Sequence, residues 1–176
     1  AIIAVEAGAT HIQGTVIGVG ERCGNANLCE LLPTLELKMG CELIGKERLQ
    51  KLTPMTAKIA ETCNITLRED MPYVGKNAFA HKAGMHIDAV YKSAKSFEHI
   101  RPEDVGNERQ FLISQVGGRS AAMQKIEGVL GHYEKGSKEI VELTRVLKEY
   151  EHNGYQFELA EASFELLARR TFGLDT

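Results

Sequence analysis

Residues 10–28 read THIQGTVIGVGERCGNANL, and the fold turns on how this stretch is taken. Thr10 to Gly18 is short, rich in β-branched residues and bounded by glycine, the pattern of a buried strand. Gly20 to Gly24 form a loop. Leu28, Leu31, Leu32, Leu35 and Met39 then follow at the spacing of one helix face. Asn25 or Asn27 can cap that helix and Gly40 ends it. Pro33 falls inside it and predicts a late start or a kink, because proline lacks the N–H that the preceding turn needs. A helix tail precedes the strand, so the order is helix tail, buried strand, glycine loop, amphipathic helix, which is one βα unit of a parallel α/β protein.

The loop admits three readings. Glycines ahead of a helix N-terminus expose N–H groups to an anion, but the stretch has neither the G-x-G-x-x-G order nor a G-K-[ST] ending, which argues against a phosphate cradle. A plain strand-to-helix turn and the rim of a site both stand open. Favouring a site, Glu21, Arg22, Asn25 and Asn27 crowd the carboxyl end of the strand, where parallel α/β folds place their ligands.

The remaining composition narrows the function classes. With 176 residues, 43% hydrophobic and 26% charged, the chain falls among ordinary soluble globular proteins of one or two domains. It has no apolar run of membrane-spanning length. Net charge is −3 and the basic residues are scattered, which leaves no footprint for nucleic acid or anionic lipid. Cys23, Cys29, Cys41 and Cys63 form no C-x-x-C pair, as expected of reduced thiols in a cytoplasmic protein. The opening AIIAVEAGATH has neither an initiator Met nor a charged leader, and it reads as cut from something longer.

Further along, residues 46–63 predict two helices, with Thr53-Pro54 as N-cap and first helical residue of the second. Residues 64–76, with two prolines and few aliphatics, read as loop, and Ala78 to Lys92 as a helix carrying His81 and His86. Two histidines five apart on a helix lie about 140° from each other and do not share a metal. His86 with Asp88 two residues on reads either as a general acid/base with a helper or as an ordinary surface histidine. QFLIS (110–114) predicts a short strand broken by Gly117-Gly118. Three helices follow, at 120–130, 138–150 and 159–171. Ile140, Leu143, Leu147 and Tyr150 form the stripe of the second, and Ala160, Phe164, Leu167 and Ala168 that of the third. Arg119-Ser120 reads as a helix start with Ser120 as cap, and Glu151, Glu158, Glu161 and Glu165 as a solvated acidic face.

Four segments in order, HIQGTVIGVGERCGNANL, PYVGKNAFAHKAGMHIDAV, RPEDVGNERQFLISQVGGRS and GYQFELAEASFELLARR, resemble the acyl-CoA Claisen-condensing synthases of the DRE-type TIM metallolyase family. Members include 2-isopropylmalate, homocitrate and citramalate synthases; VGNERQFLIS and the last segment are most similar to the citramalate branch. The resemblance implies an α/β, predominantly helical piece of such an enzyme. Residues 1–40 would hold the last βα unit of a TIM (β/α)8 barrel, 41–100 a first linker subdomain and 101–176 a helical second one. The first seven strands, with the metal-binding Asp and a His-x-His, would lie outside this chain, as would any regulatory domain.

The resemblance also implies a reaction and roles. The acetyl methyl of acetyl-CoA is joined to the keto carbon of a 2-oxo acid, pyruvate in the citramalate branch and 2-oxoisovalerate in the 2-isopropylmalate branch, and the thioester is then hydrolysed. A divalent cation, Mg, Mn or Zn, holds the oxo acid. Asn25 matches the family's metal-side GN asparagine, and an amide oxygen suits Mg²⁺ or Mn²⁺. Glu21 and Arg22 match the family's GER and are expected to pair and shape the loop. His86, in the G-x-H-x-D pattern with Asp88, matches a linker histidine of the acid/base machinery that reaches across a homodimer. The position nearest the family's linker tyrosine reads Phe97, with Tyr91 upstream, so the tyrosine's role passes to neither. Related lyases carry a catalytic cysteine in a nearby glycine loop, but Cys23 falls outside that motif. By itself the 176-residue chain is expected to be inactive, and the rival reading of another class is an isolated non-catalytic linker or dimerisation module.

Overall fold

The computed structural model describes residues 1–112, 118–134, 136–157 and 160–174. The chain divides into two compact units, Ala1–Phe79 with His99–Arg109 and Ala80–Glu98 with Gln110–Thr176.

In the first unit, helix α1 (Ile2–Glu6) buries no residue. The strand expected over Thr10 to Gly18 does not form. Thr15 makes a single parallel bridge, to Asn27, with its N–H donating to the carbonyl of Ala26 at 3.0 Å and its carbonyl accepting from Leu28 N–H at 2.9 Å. An extended run becomes a strand only where a neighbour takes up its backbone groups. Among the described residues only Thr15 of this run has a bridging neighbour, and Val16–Gly18 then curls into a 3₁₀ turn with Ile17 at φ 63. The Thr15–Asn27 bridge nonetheless closes the glycine loop at its base.

Helix α2 (Leu28–Pro33) is capped by Asn27, whose side-chain oxygen accepts from Cys29 N–H at 3.0 Å. Pro33 ends it. The chain continues as a wider π-helical turn, Thr34–Lys38, consistent with the hydrogen bond that proline cannot supply. Gly40, at φ 69, terminates the run while Cys41 N–H reaches back to the carbonyl of Leu35 at 2.9 Å. Cys29, Pro33 and Leu35 are the buried side chains here, and the other leucines of the expected stripe are half-buried.

Helices α3 (Lys46–Leu49) and α4 (Leu52–Thr62) follow, but the second starts before Thr53-Pro54. Lys51 is its N-cap residue, and the Thr53 hydroxyl donates instead to the carbonyl of Val105 at 2.8 Å. Cys29, Leu49, Leu52, Met71, Tyr73, Val74, Phe79 and Val105 form the core of this unit.

In the second unit, the helix expected over 78–92 begins only at Gly84. Strand β1 (Ala80–His81) precedes it and pairs in parallel with β2 (Gln110–Phe111), Ala80 opposite Gln110 and His81 opposite Phe111. Residues 113, 114 and 117 of the expected strand and its break lie outside the described residues, as do Glu158 and Leu159. Helix α5 (Gly84–Lys92) buries Ile87 and Val90. Helix α6 (Gly118–Leu130) begins ahead of Ser120, which is therefore inside the helix and not its cap.

Helices α7 (Lys138–His152) and α8 (Glu161–Thr171) complete the unit. Ser137 caps α7 by accepting from Ile140 N–H at 3.3 Å. Ile140, Leu143 and Leu147 of α7 and Phe164 and Ala168 of α8 meet Ala122, Ile126 and Phe157 in one apolar core, as the 3.6-residue spacing predicts. Tyr150, the last residue of the expected α7 stripe, sits at the margin, 39% exposed. On the outer side, Glu165 pairs with Arg169 at 2.7 Å and Glu161 with Lys125 at 3.5 Å. No helix among the described residues is long and apolar enough to cross a membrane.

Candidate functional site

The residues singled out in the sequence fall on two surfaces, one in each unit. The first is the loop closed by the Thr15–Asn27 bridge. Inside it, Gly24 N–H donates to the carbonyl of Glu21 at 2.9 Å and Asn25 N–H to that of Gly18 at 2.9 Å. Arg22 and Gly24 adopt left-handed φ values of 56 and 85, which turns the chain sharply between Glu21 and Asn25. Gly20 leaves room for Asn25, because a Cβ at position 20 would collide with the amide nitrogen of that side chain.

Glu21, Arg22, Cys23 and Asn25 are all exposed, and no ion pair joins Glu21 to Arg22 among the described residues. The turn puts backbone hydrogen bonds where a side-chain pair was expected. Asn25 donates its side-chain nitrogen to the carbonyl of Val19 at 3.0 Å. The amide nitrogen is thereby committed to the loop, and the side-chain oxygen is the atom left for a ligand.

The second surface is α5 with the segment that follows it. His86 is exposed and its imidazole lies against the phenyl ring of Phe97, ring centroids 4.3 Å apart and planes tilted by 32°. Asp88, two residues on, accepts from Lys92 Nζ at 2.8 Å, the i,i+4 partner on its own helix face. His81 is not on the helix at all. It is buried in the short sheet, where its Nε2 lies 3.0 Å from Oε1 of Glu98. Spacing along the chain carries no hint of this pair, because the two residues are 17 positions apart.

Among the described residues, no three His, Cys, Asp or Glu side chains converge as a metal site. The loop thus offers one neutral oxygen donor, of the kind that Mg²⁺ or Mn²⁺ accepts, and not a full ligand set. Asn25 belongs to the first unit and His86 to the second.

Comparison with known proteins also divides the chain in two, but at a different place. Residues 1–68 match the HMGL-like family, and residues 73–154 match the homocitrate synthase post-HMGL domain-like family. The (R)-citramalate synthase of Aquifex aeolicus is 49% identical over 173 residues, 98% of this chain and 33% of that protein. The (R)-citramalate synthase of Synechocystis sp. is 45% identical, over 98% of this chain and 31% of its own length. A probable 2-isopropylmalate synthase of Methanopyrus kandleri is 35% identical, over 87% of this chain and 30% of its own length. The chain therefore spans about a third of the length of the curated relatives it matches. An HMGL-like segment followed by a homocitrate synthase post-HMGL domain-like segment, with relatives of this kind along nearly its whole length, places the chain in the citramalate synthase and 2-isopropylmalate synthase family.

Proposed function

We propose that these residues are part of a citramalate synthase, which joins acetyl-CoA to pyruvate in the branched-chain amino acid biosynthesis that leads to isoleucine and leucine. The observation that carries this reading is the identity gradient. Relatives named (R)-citramalate synthase reach 49% and 45%, whereas a probable 2-isopropylmalate synthase stands at 35%, level with a relative named putative (R)-citramalate synthase. The nearest rival substrate is accordingly 2-oxoisovalerate.

In this reading residues 1–40 close the catalytic barrel, and residues 41–100 and 101–176 form the two linker subdomains. Further strands, with the remaining metal ligands, belong to the parts of the relatives that this chain does not span. The enzyme acts as a homodimer in the cytoplasm, a location that the four unpaired cysteines favour.

The chemistry assigns each residue a task. A bound divalent cation, Mg, Mn or Zn, supplies Lewis-acid polarisation of the keto carbonyl. Asn25 offers its side-chain oxygen to that cation, and Glu21 and Arg22 shape and flank the loop that presents it. His86 takes part in proton transfer through a ring nitrogen. A methyl proton of acetyl-CoA must leave as the new C–C bond forms, and the keto oxygen must gain one. Water then cleaves the thioester C–S bond and releases the CoA thiol. Asp88, held by Lys92, sits two residues from His86 and helps shape that surface.

The test is an oxo-acid panel on the full-length protein, followed by release of CoA thiol. Pyruvate should give the highest kcat/KM of pyruvate, 2-oxoisovalerate and 2-oxoglutarate; a preference for 2-oxoisovalerate would transfer the chain to the rival branch. The 176-residue chain by itself should release no CoA.

A further inference from the structure

Among the described residues, Glu98 is the one buried carboxylate and His81 the one buried histidine, and they are bonded to each other. The Glu98 side chain is 2% exposed and that of His81 10%. A carboxylate so enclosed is costly unless it is hydrogen-bonded, and a buried polar pair seldom stabilises more than an apolar pair of the same size. What such a pair supplies is direction, since its geometry is met in one arrangement only.

That direction is set from a fixed point. The backbone of His81 is held in the β1–β2 pairing, its carbonyl accepts from Leu112 N–H at 2.9 Å, and its ring lies 6.1 Å from that of Phe111. From this anchor the side chain reaches across to Glu98, and so closes the excursion that holds α5 and the 3₁₀ turn Ala94–Ser96. Phe97 is the neighbour of Glu98. It is 48% exposed, and its ring rests on the imidazole of His86.

We propose that His81 and Glu98 are positioning residues for His86. Their buried bond fixes the chain at position 98, which places the Phe97 ring against the His86 imidazole and sets that imidazole's orientation. The inference rests on the acid/base role of His86 given above.

The experiment compares H86A, F97L, E98A and E98Q in the full-length protein. It measures kcat and KM for the oxo acid and the ¹H–¹³C signal of the His86 ring, identified by its loss in H86A. E98A should lower kcat by about tenfold to a hundredfold, the scale on which small misplacements of a reacting group are felt, with KM changed less than about twofold. The His86 signal should move with it as the ring leaves the Phe97 face. E98Q keeps an acceptor for the His81 ring and should restore both readouts. F97L leaves the buried pair in place, so it decides the matter if E98A does not fold; it should lower kcat by about two- to tenfold, the worth of an aromatic ring pair, and shift the same signal. H86A with undiminished turnover would remove the role on which the inference rests. Slow H86A beside wild-type kcat and an unmoved His86 signal in E98A and F97L would overturn the positioning inference alone.

Discussion

The side-chain nitrogen of Asn25 donates to the main-chain carbonyl of Val19 at 3.0 Å, tying the two ends of the turn that carries Glu21 and Arg22. Replacing Asn25 by Ala removes both that tie and the outward oxygen. In the full-length protein N25A should weaken Mn²⁺ binding by at least about tenfold, as loss of a metal-site group typically does. Titration by electron paramagnetic resonance measures this directly, and an unchanged Kd would retire Asn25 as a ligand.

The same turn depends on Gly24, whose φ is 85 and whose absent Cβ would strike the carbonyl of Gly18. G24A should therefore destabilise the protein by at least about 1–2 kcal/mol, the cost of left-handed backbone for a residue with a Cβ. The urea midpoint reports it, and a midpoint equal to the parent's would mean that the turn is not held as described.

Asn107 bridges two carbonyls, donating to Tyr73 at 2.9 Å and to Gly75 at 3.0 Å, and so holds Tyr73 in its left-handed conformation at φ 66. N107A should cost about 1–3 kcal/mol in denaturant unfolding, because both acceptors lose a partly buried donor. N107D should cost at least as much, since it turns a carboxylate toward the two carbonyls.

Cysteine reactivity should follow burial. Cys23 and Cys63 are exposed, whereas Cys29 is fully buried, accepting from Ile17 N–H at 3.4 Å and lying 3.3 Å from the Thr56 hydroxyl. A thiol reagent should modify Cys23 and Cys63 first, Cys41 more slowly, and Cys29 only on unfolding. Mass spectrometry of partly labelled protein gives the order; early labelling of Cys29 would contradict the packing.

His99 is exposed to solvent on one side, and partial desolvation of its ring, with a smaller contribution from nearby Lys38, holds its pKa below the usual imidazole value, while the ring meets that of Tyr73 edge-on at 5.6 Å. The unfolded chain then binds a proton at position 99 more readily than the folded one. The contribution of His99 to stability is present above about pH 6.5 and is lost as pH falls through its lower folded value. H99Q should flatten the fall in denaturant midpoint between pH 7 and pH 5. An equally steep fall in the variant would show that other groups govern it.

Some of this was legible in the residues alone. The Asn27 cap and the Gly40 stop are local signals, as are the stripes of α7 and α8, since caps and helix faces are decided within about four residues. Thr53-Pro54 shows the limit of such signals: the pair has a helix-start pattern, yet the Thr53 hydroxyl bonds to Val105, 52 positions away. The strand at Thr10 to Gly18 failed as a prediction because β-branched composition states a preference, whereas a strand also requires a neighbour.

The sequence by itself determined the family, through four ordered motifs, and named Asn25 and His86 as the residues to examine. Tertiary structure alone decided that the Asn25 nitrogen faces inward, that His86 lies on Phe97, and that His81 leaves the helix for a buried bond with Glu98. The difference is one of range. Periodicity and capping are written into neighbours along the chain, whereas a hydrogen bond between residues 17 positions apart exists only once strand pairing and core packing have brought them together.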